Sequence, residues 1–347
     1  NFQLFILIKF LKMLKLKNCK PIIIVSGEPF SIFNEIFLKS INLKKVKNLK
    51  RPMILIGSED LLLKHMEQLN YNLKLNKIDL KNIQETKIKK NLINIIDVKF
   101  DFKKPFDNIS SKSTNYIKSC FKLALNIQKK ISISGIINGP ISKSHFKIKN
   151  LIGITEYLAK LNNKNSKEVM LIYNKSLSVS PISTHVPIKN VHKYINKYKI
   201  INNVKTIMDF YKRKLNKKKI RFAITGLNPH CESKSPINEE KKFIIPAINF
   251  LKSKGFNING PYPADTIFFK KIRKNYDVII GMYHDQVLSP IKTIYEFDAI
   301  NITLGLDFIR LSPDHGPNNK ELGKNISDPK SLIKCIYFLN KINVNKS

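Results

Sequence analysis

The sequence predicts an α/β protein of two lobes, built on mostly parallel sheets with helices on their faces. Three observations predict it. The chain of 347 residues is longer than one hydrophobic core ordinarily supports. Hydrophobic residues make up 43%, ample for packed cores and too many for a disordered chain. Short β-branched runs alternate with longer helical stretches, the order that βαβ units impose.

The strands are read first. Runs rich in Ile, Val and Leu predict strands over 21–26, 52–57, 92–98, 133–138, 169–173, 177–184, 220–225, 278–282 and 299–303. Between them 31–40, 59–70, 114–130, 189–214, 238–254 and 328–340 read as helices. In 114–130, Ile117, Cys120, Phe121, Ala124 and Ile127 fall on one helical face. Lys/Asn-rich stretches at 42–50, 81–91 and 161–168 read as loops or solvated edges. A lobe boundary is expected near residue 150, with the final helix returning to the first lobe. Residues 1–12, apolar with Lys interspersed and followed by Met13, read as an upstream extension or a frayed helix.

The formal net charge of +37 would ordinarily point to nucleic acid or an anionic membrane. Nearly all of the basic residues are Lys; the arginines are Arg51, Arg213, Arg221, Arg273 and Arg310. Lys, Asn and Ile share AT-rich codons, and Lys is spread along the chain without a basic stripe. The reading is therefore no nucleic acid, no membrane, and long-range steering of anionic substrates. Cys19, Cys120, Cys231 and Cys335 form no C-x-x-C pair, which fits thiols in a reducing, cytoplasmic setting.

Three strand-like runs end on histidine: LSVSPISTH at His185, IRFAITGLNPH at His230 and DVIIGMYHD at His284. Neutral imidazole is the commonest metal-ligating side chain, and three of them leave coordination positions open for substrate. A lone His is more often structural; three at equivalent strand ends make a shared divalent metal the competing reading. Lys292, Asn301 and Arg310 flank INITLGLDFIR, where a fixed cation suits phosphate or carboxylate. The competing reading of Arg310 is a surface ion pair, and of Lys292 one more solvated Lys. Asp265, in the stiff loop GPYPADTIFF, reads equally as a metal- or proton-handling carboxylate and as a turn or cap residue. Neither G-x-G-x-x-G nor G-x-x-x-x-G-K-[ST] occurs, so a dinucleotide would not be held by the ordinary fingerprint.

Taken in order, SGEP from 26, NGPISK from 138, GITEYLA from 153, STHVPIKNV from 183, GLNPHCE from 226, GPYPADTIFF from 260, MYHDQVLSPIK from 282 and NITLGLDFIRLSPDHG from 301 resemble the 4-hydroxythreonine-4-phosphate dehydrogenases of pyridoxal phosphate biosynthesis. The resemblance implies an isocitrate/isopropylmalate dehydrogenase-like fold with the active site in the cleft between lobes. It implies a lobe of 20–150 plus 300–347 on the cofactor side, and a lobe of 151–299 carrying the metal ligands and a dimer interface.

It further implies that His185, His230 and His284 bind zinc, magnesium or cobalt in a site shared between the subunits of a homodimer. Thr155, Lys292, Asn301 and Arg310 match substrate-binding positions. Ile154 stands where the family carries a substrate-contacting His, and Glu28 where its first loop usually carries Asp. Asp314, His315 and Gly316 match the segment that holds the adenosine end of NAD (or NADP). The implied reaction oxidises a small phosphorylated substrate, 4-hydroxythreonine 4-phosphate, and decarboxylates it. Lys292 would neutralise the anion, and Asp265 and Asp285 are candidates for proton transfer or for orienting a ligand His. The related reading is a dehydrogenase of phosphorylated threonate or erythronate; a third is a non-catalytic binding homologue.

Overall fold

The computed structural model describes residues 14–15, 20–81, 83, 87–89, 91–142, 144–146, 154–162, 168–233, 238–296, 298–313 and 315–342. Residues 1–12 and the cofactor candidate Asp314 lie outside the described residues. The chain divides into two compact units, Asn1–Asn163 with Asp307–Val344, and Lys164–Leu306. The expected breaks were 150 and 300.

The first unit contains, in chain order, β1 (Ile22–Val25), α1 (Phe33–Asn42), β2 (Met53–Gly57), α2 (Glu59–Gln68), β3 (Leu75–Lys77), β4 (Ile93–Asp97), α3 (Ser113–Lys130), β5 (Gly135–Asn138) and α4 (Ile154–Leu161). In the second are β6 (Val169–Tyr173), β7 (Ser178–Ser183), α5 (Lys197–Lys214), β8 (Phe222–Thr225), α6 (Ile245–Ser253), β9 (Ile258–Tyr262), β10 (Val278–Tyr283), α7 (His284–Tyr295) and β11 (Ile300–Leu304). β12 (Arg310–Ser312) and α8 (Lys330–Lys341) return to the first unit.

In the first unit the strands run β12-β5-β1-β2-β4-β3, every pair parallel. β1 reads IIIV and is buried at every position, as a parallel strand covered on both faces requires. α2 starts where Ser58 Oγ accepts from Leu61 N at 3.3 Å, with Glu59 and Asp60 in its positive first turn.

The second unit orders its strands β9-β8-β10-β7-β6-β11. The first four are mutually parallel; β6 runs antiparallel to both β7 and β11. The reversal is local: Asn174 Oδ1 accepts from Ser176 N at 2.8 Å and turns the chain directly from β6 into β7.

Several elements differ from the sequence reading. The helix expected over 189–214 is a 3-10 turn, a short helix Val191–Tyr194, and α5, because extended Asn196 breaks it and caps α5 by accepting from Lys199 N at 2.8 Å. That expected over 238–254 opens as a π-turn, Glu240–Ile244, before Pro246, which has no N–H to give an α bond. β9 was read as loop because it contains Gly260 and Pro261; it is an edge strand, where Pro is tolerated. α7 and α4 are helices that the periodicity did not predict; α7 carries Pro290 inside it.

Candidate active site

In the second unit β8, β10 and β7 are consecutive parallel neighbours, so their carboxyl ends share one edge of the sheet. That edge is where open α/β sheets bind ligands. His185 lies two residues past β7, His230 in the loop after β8, and His284 at the first residue of α7, directly after β10. The rings of His185 and His284 are 5.9 Å apart between centroids and tilted by 35°. His230 is exposed and left-handed, with φ of 55°. Among the described residues, no group of three His, Cys, Asp or Glu side chains of this chain stands close enough to hold a metal ion. His185 and His284 stand side by side at this edge.

Two buried side chains build this edge, and the sequence reading named neither. Gln286 Oε1 accepts from Thr225 Oγ1 at 2.8 Å and Met282 N at 2.7 Å, while its Nε2 donates to the Gly226 carbonyl at 2.8 Å. One amide thus ties the ends of β8 and β10 to the first turn of α7. Glu240 Oε1 accepts from Leu227 N and Asn228 N at 2.8 Å each, and Oε2 from Asn228 Nδ2 at 3.0 Å. Burial raises the Glu240 pKa, but the hydrogen bonds from Asn228 and Leu227 outweigh it, and the carboxyl lies below its ordinary value. The result is a charged clamp on the LNPH loop that carries His230. The legible signal was MYHDQ, in which Gln286 follows His284 by two residues.

Asp285 Oδ1 is 2.7 Å from His284 Nδ1, which leaves Nε2 as the nitrogen that can ligate. Asp265 is exposed, and its charge, with those of Glu240 and Glu232, adds to burial in pushing the Cys231 thiol up. It therefore lies near the His230 loop. Lys292 sits two turns along α7 from His284 and is exposed. Asn301 pairs with Ile172, which pairs with Val179. Val179 stands four residues before the end of β7, roughly 13 Å short of that carboxyl edge. The sheet thus does not bring Asn301 to the histidine edge. Asn301 Oδ1 is buried with no hydrogen-bond partner among the described residues.

In the first unit, Arg310 opens β12 and is 4% exposed, which rules out the surface ion pair. Its Nε donates to Asn138 Oδ1 at 2.7 Å and its Nη1 to Thr155 Oγ1 at 3.0 Å. Arg310 and Thr155 are brought together as expected; Asn138, at the end of β5, is a partner the sequence reading missed. Ile154, beside Thr155 at the start of α4, is half-buried. His315 is half-buried and stacks on Phe33 at 6.4 Å between centroids. Gly316 is exposed, with open space where a Cβ would stand, so packing does not demand glycine there.

Glu28 is 2% exposed. Its Oε2 accepts from Ser113 Oγ at 3.0 Å, and its Oε1 has no hydrogen-bond partner among the described residues. Burial, opposed by the bonds from Ser113 and Phe30, pushes its carboxyl up to about 7.

Imidazoles beyond parallel strands in the second unit and a buried, hydrogen-bonded arginine in the first mark an α/β protein of enzyme type. The chain belongs to the family of the pyridoxal phosphate biosynthetic protein PdxA, whose model matches residues 48–339, and it is an enzyme of the dehydrogenase class. It is 36% identical over 319 residues to the 4-hydroxythreonine-4-phosphate dehydrogenase of Sulfurihydrogenibium sp., covering 90% of this chain and 95% of that one. It is 28% identical over 303 residues to the D-threonate 4-phosphate dehydrogenase of Salmonella typhimurium, covering 86% and 91% respectively. Among solved structures, the 4-hydroxythreonine-4-phosphate dehydrogenase of Klebsiella pneumoniae superposes with a TM-score of 0.78 at 26% identity, covering 92% of this chain and 98% of that one.

Proposed function

We propose that the chain oxidises 4-hydroxythreonine 4-phosphate with NAD and decarboxylates the product to 3-amino-2-oxopropyl phosphate, assisted by a divalent metal. The observation that carries the reading is the set of imidazoles beyond three adjacent parallel strands, with Asp285 on His284 Nδ1 and Gln286 tying the edge together. This donor set fits a metal: imidazole nitrogens, one of them oriented by a carboxylate, on stiff sheet-end supports. His185 and His284 would be the pair from one copy, and His230 would come from a second copy. Self-association is supported by the apolar surface just after His185, where Ile188 is 76% exposed and Tyr198 81%.

His185 and His284, with His230 of a second copy, would hold a divalent ion, which would supply Lewis acidity at the substrate hydroxyl. Arg310, held by Asn138 and Thr155, neutralises the phosphate or carboxylate, with Lys292 as a second cation. Asp285 is engaged in orienting His284, so Asp265 is the carboxylate available to take the hydroxyl proton. Bound NAD would supply the acceptor for the hydride on the alcohol carbon. The β-keto acid so formed loses CO2, and the carbon left behind takes up a proton.

The relative that acts on D-threonate 4-phosphate supports a second reading, with that phosphorylated acid as substrate. NADH formation by the purified, metal-loaded protein on each compound separates the two. A higher kcat/KM on 4-hydroxythreonine 4-phosphate upholds the first reading, and a higher one on D-threonate 4-phosphate the second.

A further inference from the structure

The loop from Asn318 to Ser327 is held with more bonds than its length requires. Glu35, on α1 and wholly buried, spends both carboxylate oxygens on it: Oε1 accepts from Gly323 N at 2.6 Å and Oε2 from Asn325 N at 2.8 Å. One turn along the same helix, Lys39 Nζ donates to the carbonyls of Asn325 at 2.6 Å and Ser327 at 2.9 Å. Within the loop, Ser327 Oγ donates to Glu321 Oε2 at 2.7 Å. Phe106 lies over Gly323, so a Cβ there would come within 3.0 Å of its ring, and His65 backs Phe106 in a stack at 4.6 Å.

Asn318, Gly323 and Asn325 all take left-handed φ, at 45°, 80° and 52°. Glycine takes this conformation without penalty and asparagine readily, so the loop's own residues suit its shape, and Glu35 and Lys39 fix it.

We infer that Glu35, with Lys39, is a positioning residue that holds loop 318–327 in the shape that receives the dinucleotide. The inference rests on the proposed NAD-dependent reaction and on the expected cofactor role of the adjoining segment at His315 and Gly316. Glu35 touches neither cofactor nor substrate in this account; it acts through the amides of Gly323 and Asn325. Loss of a charge-assisted pair of bonds would let the loop relax, and cofactor affinity would fall while the chemistry at the histidines is unaffected.

The test compares wild type, Glu35→Gln, Glu35→Asp and Lys39→Met as full-length proteins. NAD binding is read by calorimetry, steady-state NADH formation is measured with NAD and substrate varied separately, and amide exchange is followed at Gly323 and Asn325. The expected result for Glu35→Gln is a KM and Kd for NAD raised roughly tenfold to a hundredfold. Its kcat at saturating NAD and its KM for substrate should stay within about twofold, and the two amides should exchange faster. Lys39→Met should shift NAD affinity in the same direction, and Glu35→Asp should recover part of it. Unchanged NAD affinity in both Glu35→Gln and Lys39→Met, with an active wild type, overturns the positioning role alone. A wild type that neither binds nor reduces NAD overturns the reading beneath it as well.

Discussion

His230 is the residue whose removal separates chemistry from fold. It is exposed and its loop is held from elsewhere, by Glu240 on Leu227 and Asn228. His230→Ala is therefore expected to reduce metal-dependent NADH formation to background while leaving the thermal unfolding temperature within a few degrees of wild type. Full turnover with unchanged metal content would remove His230 from the site. Glu28 makes a prediction of the opposite kind, on stability. Its folded pKa of about 7 lies above the ordinary 4.5, so the contribution it makes is fully present below about pH 4.5 and is lost as pH rises through 7. The loss amounts to about 3 kcal/mol. Glu28→Gln cannot titrate, so denaturant unfolding near pH 5 and near pH 8 should show the wild type losing about that much more than the variant. Parallel pH dependence in the two proteins would show that Glu28 is not held in its raised state.

At the scale of elements, the junction of β10 with α7 is the most consequential, because Gln286 there satisfies three groups from β8, Gly226 and β10. Gln286→Leu leaves Met282 N and the Gly226 carbonyl without this partner, at a cost of about 1–3 kcal/mol for each buried group left unpaired. A lower unfolding midpoint together with weakened metal binding is the expected outcome; loss of stability with unaltered metal affinity would confine Gln286 to the fold. The strands were legible in the sequence wherever both faces are buried, as in IIIV of β1, since burial leaves a continuous apolar run. α7 was not legible: Pro290 reads as a breaker, and its first turn, HDQ, is polar for reasons of chemistry and not of packing. β9 escaped for a related reason, with Gly260 and Pro261 tolerated only because the strand lies at an edge. The sequence marked the three histidines by their place at strand ends, and it marked Thr155 and Arg310 separately; the hydrogen bond between those two comes from the fold. Asn138 and Glu240 were not legible, because each acts through hydrogen bonds to residues 12 to 172 positions away that no local pattern records; Gln286 was marked only by its place in MYHDQ.

For the whole molecule, the strong positive charge is no obstacle to the family assignment. A net charge of +37 carried mainly by Lys attracts phosphorylated anions from solution. Among the described residues no helix is long and apolar enough to cross a membrane. The proposed sharing of the metal between two copies has a clean consequence. His230→Ala and His284→Ala chains, each inactive alone, should regain activity when unfolded together and refolded. About a quarter of the sites would then be intact, since half the dimers are mixed and each holds one complete site. No regain would place all three ligands within one chain.

The central claim is metal-assisted, NAD-dependent oxidation of a phosphorylated substrate at the histidine edge. Its most direct test is one assay on the purified protein: NADH formation with 4-hydroxythreonine 4-phosphate, followed before and after the bound metal is removed and then restored. NADH formation should be lost with the metal and return with it. NADH formation that continues at the same rate in the metal-free protein, or none from the metal-loaded protein, would contradict that claim.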